Sequence, residues 1–360
     1  MRLARFCTQN WTTMLDYQEL FEIDPFGLTQ KEKELLYQRW INALGSHHRA
    51  QCPEYALLSQ KFGETPSLPV RLFKEFDLRS VPRDEVVKTL TSSGTTGQQV
   101  SKIYLDRDTS ARQTKTLTRI VSNFTGSSRM PMIIIDTSQV IKNREMFSAR
   151  GAGILGFSIF GRDTLYALDE NMDLDLEALL AFQEKHAGKQ VLLFGFTFMI
   201  WQYFCQELLK RGIKLHFDGI LIHGGGWKKL AAEQVDNDEF KRIIAETVGI
   251  KTVSNYYGMV EQTGSIFMEC ECGHLHASVF SDIDIIDPKS FDRLATGRGI
   301  MQCTSLLPTS YPGHILLTED EGEILGIDDC PCKRRGKYFT VYGRLPGAEI
   351  RGCSDTHERE

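Results

Sequence analysis

The sequence predicts an α/β protein closed by a β-rich subdomain, on three observations. From about residue 86, short β-branched or apolar runs (VVKTL, KIYL, PMIIID, VLLFGF) alternate with longer amphipathic stretches such as 173–186 and 229–247, the pattern of a sheet covered by helices. Earlier, residues 30–60 place Leu35, Leu36, Trp40 and Leu44 at near-helical spacing, so the chain opens with two or three helices. Beyond Gly264 the helical stretches thin out and short runs dominate (ASVF, SDIDIID, GHILLTE, EILGI, KYFTVYG), which predicts mainly strands. The expected organisation is a helical region over 1–85, an α/β core over 86–264, a β-rich subdomain over 265–343 and a short polar tail over 344–360.

Composition bounds the function. With 360 residues, 41% apolar and 25% charged, the chain is neither disordered nor fibrous, and it is long enough to bury a sizeable core. Its 42 basic and 47 acidic residues leave a net charge of −5, which gives no electrostatic reason to expect nucleic-acid or anionic-membrane binding. The N-terminal MRLARFCTQNWTTML lacks a continuous apolar segment, and the most apolar run, VLLFGFTFMIW at 191–201, is shorter than the roughly 20 residues a membrane helix needs. A cytoplasmic protein without a membrane span is expected. Nine cysteines, an odd number without an export signal, argue for reduced thiols, metal ligands or a reactive cysteine rather than a disulfide framework. Cys7, Cys52, Cys205 and Cys303 are isolated and read as small buried apolar residues. His47 and His48 are expected on the surface of the N-terminal helices.

Three segments carry chemistry. Ser92, Ser93, Gly94, Thr95, Thr96 and Gly97 lie in TSSGTTG between two strand-like runs. Gly94 and Gly97 permit the positive φ that gathers backbone N–H groups around an anion, and the hydroxyls donate to phosphate oxygens. No Walker lysine follows Gly97, and the composition also fits an ordinary Ser/Gly hairpin. Gly224, Gly225 and Gly226 follow the strand-like GILI, and Tyr257, Gly258 and Glu261 follow KTV. Both positions are where an α/β sheet presents ligands, past the carboxyl ends of strands. A glycine run lets a flat adenine approach the backbone, Tyr257 can stack on it, and Glu261 can help hold Mg²⁺ on phosphates. Singly, each also reads as a loop with a turn-forming glycine or a core tyrosine.

The remaining cysteines form two close pairs, Cys270-x-Cys272 and Cys330-Pro-Cys332. Four thiolates satisfy tetrahedral Zn²⁺, although this gap is tighter than the usual two residues. A closed structural zinc would pin the β subdomain rather than catalyse; unliganded core cysteines are the alternative.

The order TSSGTTG, GGGW, NYYGMVEQTG, LLTED, YGR over residues 86–352 resembles the adenylate-forming superfamily of acyl-CoA synthetases, peptide-synthetase adenylation domains and luciferases. The final GRLPGAEIRGCSDTHE narrows the resemblance to the acyl-protein synthetases of bacterial bioluminescence fatty acid reductase complexes, distantly similar to phenylacetate-CoA ligases. The resemblance implies the adenylate-forming fold with a truncated C-terminal tail. It also implies that Ser92 to Gly97 contact the β- and γ-phosphates of ATP, that Tyr257 faces adenine, and that Glu261 sits beside Mg²⁺. Asp320 of LLTED matches the acidic residue that binds ribose, and Arg344 the basic residue near the hinge. Unaided, Asp320 in the acidic run TEDEGE reads as a solvated turn residue. The implied reaction makes a fatty acyl-AMP, for whose chain FGFTFMIWQYF at 194–204 and GAGILGFSIF at 151–160 are candidate tunnel walls or ordinary buried core. His223 is expected as a hydrogen-bonded structural histidine, with contact to the acyl-adenylate as the alternative.

The resemblance also implies that Cys353 accepts the acyl group and presents the thioester to acyl-CoA reductase and acyl-transferase subunits. A thiolate suits that role once nearby cations such as Arg351 lower its pKa; an incidental exposed cysteine is the plain alternative. In phenylacetate-CoA ligases a histidine matches His276, which can therefore replace Cys270 or Cys272 as a zinc ligand. The superfamily places a catalytic lysine beyond the YGR motif, where sixteen residues follow Arg344 here. Either a cation such as Lys102, Lys228 or Arg344 takes its place, or the adenylation step is slower. A free-standing acyl- or aryl-CoA ligase, or a non-catalytic zinc-containing nucleotide-binding subunit, are the competing expectations.

Overall fold

The computed structural model describes residues 15–92, 100–141, 149–227 and 234–345. The helical opening consists of α1 (Tyr17–Glu22), α2 (Gln30–Gln51), α3 (Pro53–Phe62) and the short α4 (Leu72–Glu75). Local chemistry sets these boundaries: Thr29 and Glu32 form a reciprocal capping box at the start of α2, which satisfies two orphan amides. Pro53 opens α3, where its missing N–H costs nothing.

Strand β1 (Leu68–Pro69) precedes a two-stranded hairpin, β2 (Lys88–Thr91) and β3 (Lys102–Leu105), with Lys88 opposite Leu105 and Thr91 opposite Lys102. Next come α5 (Arg107–Thr125), β4 (Met130–Thr137), α6 (Ala149–Ser158), β5 (Gly161–Leu168), α7 (Leu176–Lys185) and β6 (Gln190–Phe196). A short α8 (Thr197–Met199) passes through a π-turn into α9 (Gln206–Arg211), followed by β7 (Asp218–Gly224), α10 (Asn237–Val248) and β8 (Thr252–Tyr257). Aspartates at 106, 175 and 236 cap α5, α7 and α10 by accepting from backbone amides, the anionic side chain that a helix N-terminus favours. The amphipathic stretches at 173–186 and 229–247 thus contain α7 and α10, although α10 starts only at Asn237, after its aspartate cap.

The strands β5-β4-β6-β7-β8 pair in that order, all parallel. The central β4 and β6 read as continuous apolar runs, as strands covered on both faces do; every residue of β4 and all but the first of β6 are buried. At β8 the sense of pairing changes. Strands β9 (Phe267–Glu269), β10 (Leu275–His276), β11 (Ser281–Ile286), β12 (Arg293–Leu294), β13 (Gly299–Ser305), β14 (Ile315–Ile327) and β15 (Lys337–Arg344) extend the same sheet antiparallel, in the order β8-β9-β10-β15-β14-β13-β11-β12, with β1 parallel to β14. The expected core and β-rich subdomain therefore share one thirteen-stranded sheet, because the turn at 258–266 brings β9 back against β8 rather than into a separate layer.

Both candidate acyl walls pack into the core. Phe157 of α6 stacks on Phe194 at 4.2 Å and lies 5.1 Å from Tyr256. Cys52, Cys205 and Cys303 are buried, as small apolar residues are; Cys7 lies outside the described residues. His47 and His48 are not on the surface as expected: both are buried. The sequence shows an amphipathic helix but not what covers it, and here the 308–314 segment does. His47 Nε2 lies 2.8 Å from the Thr309 carbonyl, while His48 pairs with Ser80 Oγ at 2.7 Å and stacks on His314 at 4.8 Å.

Candidate functional site

The hairpin β2–β3 closes the neck of the hydroxyl loop. Ser92 is buried; its amide donates to the Ser101 carbonyl at 3.1 Å and its Oγ accepts from the Ser101 amide at 2.9 Å. Ser93, Gly94, Thr95, Thr96 and Gly97 lie outside the described residues.

The glycine run leaves the carboxyl end of β7, with Gly224 buried and Gly225 and Gly226 exposed. A side chain at Gly224 would collide with Tyr256, since a Cβ there would fall 2.6 and 2.7 Å from its ring carbons Cζ and Cδ1. Gly225 has φ +77, a conformation that disfavours other residues. His223 is buried and hydrogen-bonds Thr197 Oγ1 through Nδ1 at 2.9 Å. Burial, with Lys241 nearby, holds its imidazole neutral, pushing its pKa down to about 3.

One strand over, β8 ends at Tyr257, which sequence reasoning assigned to adenine. Its phenol donates to Asp320 Oδ2 at 2.7 Å. Asp320 sits on β14 directly opposite Arg344 on β15, and the guanidinium Nε lies 3.8 Å from Asp320 Oδ1 while another of its nitrogens lies 2.8 Å from Glu319. Burial and the neighbouring Asp320 carboxylate raise the Tyr257 phenol well above its ordinary range, so it stays protonated and donates. Three residues predicted from three separated segments thus meet at one point of the sheet. Asp320 is not the solvated turn residue that its acidic run suggests, because the strand pairing fixes it between Tyr257 and Arg344. Gly258 is exposed just beyond β8. Glu261 follows on the 3-10 turn Val260–Gln262 and is buried.

Sequence reasoning missed the residues that hold this turn. Tyr311 donates its hydroxyl to the Glu261 carbonyl at 2.9 Å, and Gln262 Nε2 donates to the Cys303 and Gly313 carbonyls at 3.0 and 2.9 Å. It also missed Thr197. A lone hydroxyl in an aromatic run carries no periodic signal; its place just past the carboxyl end of a strand is the cue that points to it. Among the candidate cations, Lys102 is exposed on β3, and Lys228 lies outside the described residues, as does Cys353.

The cysteine cluster assembles from three segments: Cys270 after β9, His276 on β10, and Cys330 and Cys332 before β15, with their ligand atoms within 4.8 Å of one another. Cys272 is exposed and outside the group, so His276 takes the fourth place that a four-thiolate set gives to Cys272. Backbone alternation explains it: Cys270 turns into the cluster while Cys272 sits in the exposed turn between β9 and β10. Cys270 Sγ lies 3.9 Å from Cys330 Sγ, and Cys332 Sγ 3.3 Å from His276 Nε2. A tetrahedral zinc with Zn–S of about 2.3 Å demands sulfur–sulfur edges of about 3.8 Å, so this donor set fits the ion. Burial and Arg334 push the His276 pKa down to about 4, leaving a neutral imidazole, the form that ligates. Burial pushes the Cys270 and Cys330 thiols up, so metal binding would release protons.

No helix among the described residues is long and apolar enough to cross a membrane. Comparison with known proteins adds the following. The family model described as "Acyl-protein synthetase, LuxE" matches residues 8–360. A long-chain-fatty-acid–luciferin-component ligase of Vibrio harveyi is 24% identical over 93% of this chain and 90% of its own length, and one of Aliivibrio fischeri 23% identical over 81% and 77%. Among solved structures, a 2-hydroxyisobutyryl-CoA ligase in an open conformation with 2-HIB-AMP and CoA has a TM-score of 0.68 at 15% identity, covering 94% of this chain and 83% of that one. A long-chain-fatty-acid-CoA ligase from Archaeoglobus fulgidus has a TM-score of 0.50 at 14% identity, covering 74% of this chain and 52% of that one. With the sheet and its strand-end cluster in place, the match along almost the whole chain settles the assignment: the protein belongs to the acyl-protein synthetase, LuxE, family and is a ligase on the adenylate-forming fold.

Proposed function

We propose that this chain activates a long-chain fatty acid with ATP as acyl-AMP and moves the acyl group to its own Cys353. The thioester then feeds the acyl-CoA reductase and acyl-transferase subunits of a fatty acid reductase complex that makes aldehyde for bioluminescence. The observation that supports it most is the meeting of Tyr257, Asp320 and Arg344 at one point of the sheet, four residues from Glu261. The two curated relatives are named as long-chain-fatty-acid ligases.

In the first step a carboxylate oxygen of the fatty acid attacks the α-phosphorus of ATP, the bond to the bridging oxygen breaks, and pyrophosphate leaves. Tyr257 offers its ring to adenine, and Asp320, already accepting from the phenol, has lone pairs left for ribose hydroxyls. Arg344 offsets charge near the phosphates. The loop from Ser92 to Gly97 donates to the β- and γ-phosphates, and the glycine run, exposed at Gly225 and Gly226, lets the base approach the backbone. Magnesium, which Glu261 would hold, supplies further charge neutralisation on the phosphates. In the second step the Cys353 thiol gives its proton to solvent, its sulfur attacks the acyl carbonyl carbon, and AMP leaves. Cys270, His276, Cys330 and Cys332 would hold a zinc ion with no open position, which fixes structure.

The test is intact-mass analysis after incubation with Mg-ATP and tetradecanoate, repeated with Cys353→Ser. A hydroxylamine-labile acyl adduct on the parent that disappears in the variant is expected. An adduct that persists removes Cys353 from its role. Acylation of added coenzyme A in place of the protein makes the chain a free-standing acyl-CoA ligase, and no pyrophosphate release at all makes it a non-catalytic nucleotide-binding subunit.

A further inference from the structure

Thr197 follows β6 and is buried. Its Oγ1 lies 2.9 Å from the Gly225 carbonyl oxygen, 3.2 Å from that of Gly224 and 2.9 Å from His223 Nδ1. A threonine hydroxyl has one proton, and carbonyl oxygens only accept. The proton therefore goes to the glycine carbonyls, Gly225 being nearer. The hydroxyl lone pair left facing His223 needs a proton from the ring, which fixes the imidazole as the Nδ1–H tautomer and leaves Nε2 a bare acceptor. That atom is buried with no hydrogen-bond partner among the described residues, against the Phe240 ring, whose centroid lies 4.6 Å from that of the imidazole.

The glycine turn is thus held from two directions. In the sheet, Gly195 pairs with His223 and Phe196 with Gly224, so Thr197 and His223 lie on one face while the missing side chain of Gly224 faces Tyr256 on the other. Tyr256 limits how far the backbone can sink. Thr197 holds its two carbonyls, at the turn where Gly225 takes a φ of +77.

We propose that Thr197 is a positioning residue for the nucleotide, its hydroxyl setting the backbone of Gly224 and Gly225 that the adenine approaches. This rests on the reading of the glycine run given under the proposed function. The experiment is ATP–pyrophosphate exchange by the full chain with Mg²⁺ and tetradecanoate, comparing the parent with Thr197→Val, which keeps the shape and loses the hydroxyl, and Thr197→Ser, which keeps the hydroxyl. Thr197→Val is expected to raise KM for ATP about tenfold, with kcat and KM for the fatty acid within about twofold of the parent. Thr197→Ser is expected to restore KM for ATP. Nitrogen NMR of the His223 ring is expected to report Nδ1–H in the parent and the serine variant. An unchanged KM for ATP in the valine variant overturns the proposal, as does an equal loss in every kinetic parameter. If the valine variant does not fold, an Nε2–H ring in the parent overturns it. Absence of exchange in the parent overturns the underlying function as well, which separates the two failures.

Discussion

The two halves of the sheet differ in how much charge their interiors carry. Around the parallel strands β4 to β8 the interior is mainly apolar and aromatic: β4 and β6 bury isoleucines, leucines and phenylalanines, and Phe157, Phe194 and Tyr256 form one ring layer beneath α6, with the ion pair of Arg150 and Asp136 buried among them. In the antiparallel half the buried charges form a larger network. Lys33 of α2 and Lys337 of β15 both reach Asp282 of β11, at 3.1 and 3.2 Å, and Lys337 also reaches Asp284 at 2.8 Å. Burial alone would raise the Asp282 carboxyl, yet the two lysines hold it below the usual range. Nearby, the Cys/His cluster ties β9, β10 and the entry to β15. The first half closes mainly by hydrophobic burial. The second half has no helix of its own between β9 and β15; it buries a smaller apolar cluster that includes Phe267, Ile283, Met301 and Phe339 and adds the ionic network, beside a Cys/His group suited to a metal. The candidate site straddles the join, with Tyr257 from one half and Asp320 and Arg344 from the other.

The sharpest way to break this contrast is to remove the metal. Treatment with a strong chelator, or Cys330→Ser, is expected to cost several kcal/mol, since structural zinc contributes folding energy outright. Hydrogen exchange is expected to show protection lost in β9, β10 and β15 and kept in β4, β6 and β7. A chelator that leaves both halves alike would mean that no metal braces the second. Next in size is Asp282→Ala, which takes the carboxylate from the buried Lys33 and leaves Lys337 with Asp284 alone, and is expected to cost about 3–5 kcal/mol by urea unfolding. Ile134→Val in the parallel core removes one methylene and is expected to cost about 0.5–1.5 kcal/mol. Equal costs would erase the distinction between the halves.

That distinction also governs how much was legible in the sequence. The centre of the parallel half announces itself, because β4 and β6 are buried and read as apolar runs, and glycine marks the ends of β7 and β8. The residues of NYYGMVE and LLTED were assigned to one nucleotide site by resemblance, and strand pairing does bring Tyr257 and Asp320 within hydrogen-bond reach. The ionic cluster was invisible. Lys33 lies in a helical stretch of mixed charge and Asp282 in a strand-like run, and only a tertiary contact spanning 249 positions turns them from solvated residues into buried partners. The same blindness put His47 and His48 on the surface, since helical periodicity reports which face is apolar and not which face is covered. Among the cysteines, spacing proposed the ligands but could not choose between Cys272 and His276, because that choice depends on which way a tight turn points.

Acid sharpens the comparison by a smaller step. His48 and His314 are fully buried in the region where α2 meets β14. Burial is the main cause holding both rings neutral, with His314 pushed down to about 3 and His48 held well below its ordinary value. The unfolded chain binds a proton at each near pH 6.5 and the folded chain does not, so their contribution is complete above that value and is lost as pH falls through it toward the folded pKa. Each is expected to remove about 1.4 kcal/mol per pH unit below pH 6.5. Urea midpoints measured between about pH 7 and pH 5, above the range where carboxylates titrate, are expected to fall with this slope, and less steeply for His314→Gln. A flat profile would mean that these rings take up protons in the folded state.

The smallest step tests the packing of the parallel half at the site itself. Gly224 and Gly226 are two residues apart in one run, yet they differ in what a methyl group would meet. At Gly224 it would enter the face of Tyr256, which cannot retreat freely because Phe157 and Phe194 stack behind it. Gly224→Ala is therefore expected to cost about 1–3 kcal/mol, the usual price of overpacking a dense core. At Gly226 no atom of the described residues lies within 4 Å of the added carbon and φ is not positive, so Gly226→Ala is expected to stay within about 0.5 kcal/mol of the parent. Thermal unfolding of the two variants side by side gives the difference directly. Similar values would show that the ring layer yields to a methyl group, in which case the parallel half is less tightly packed at the site than its burial suggests.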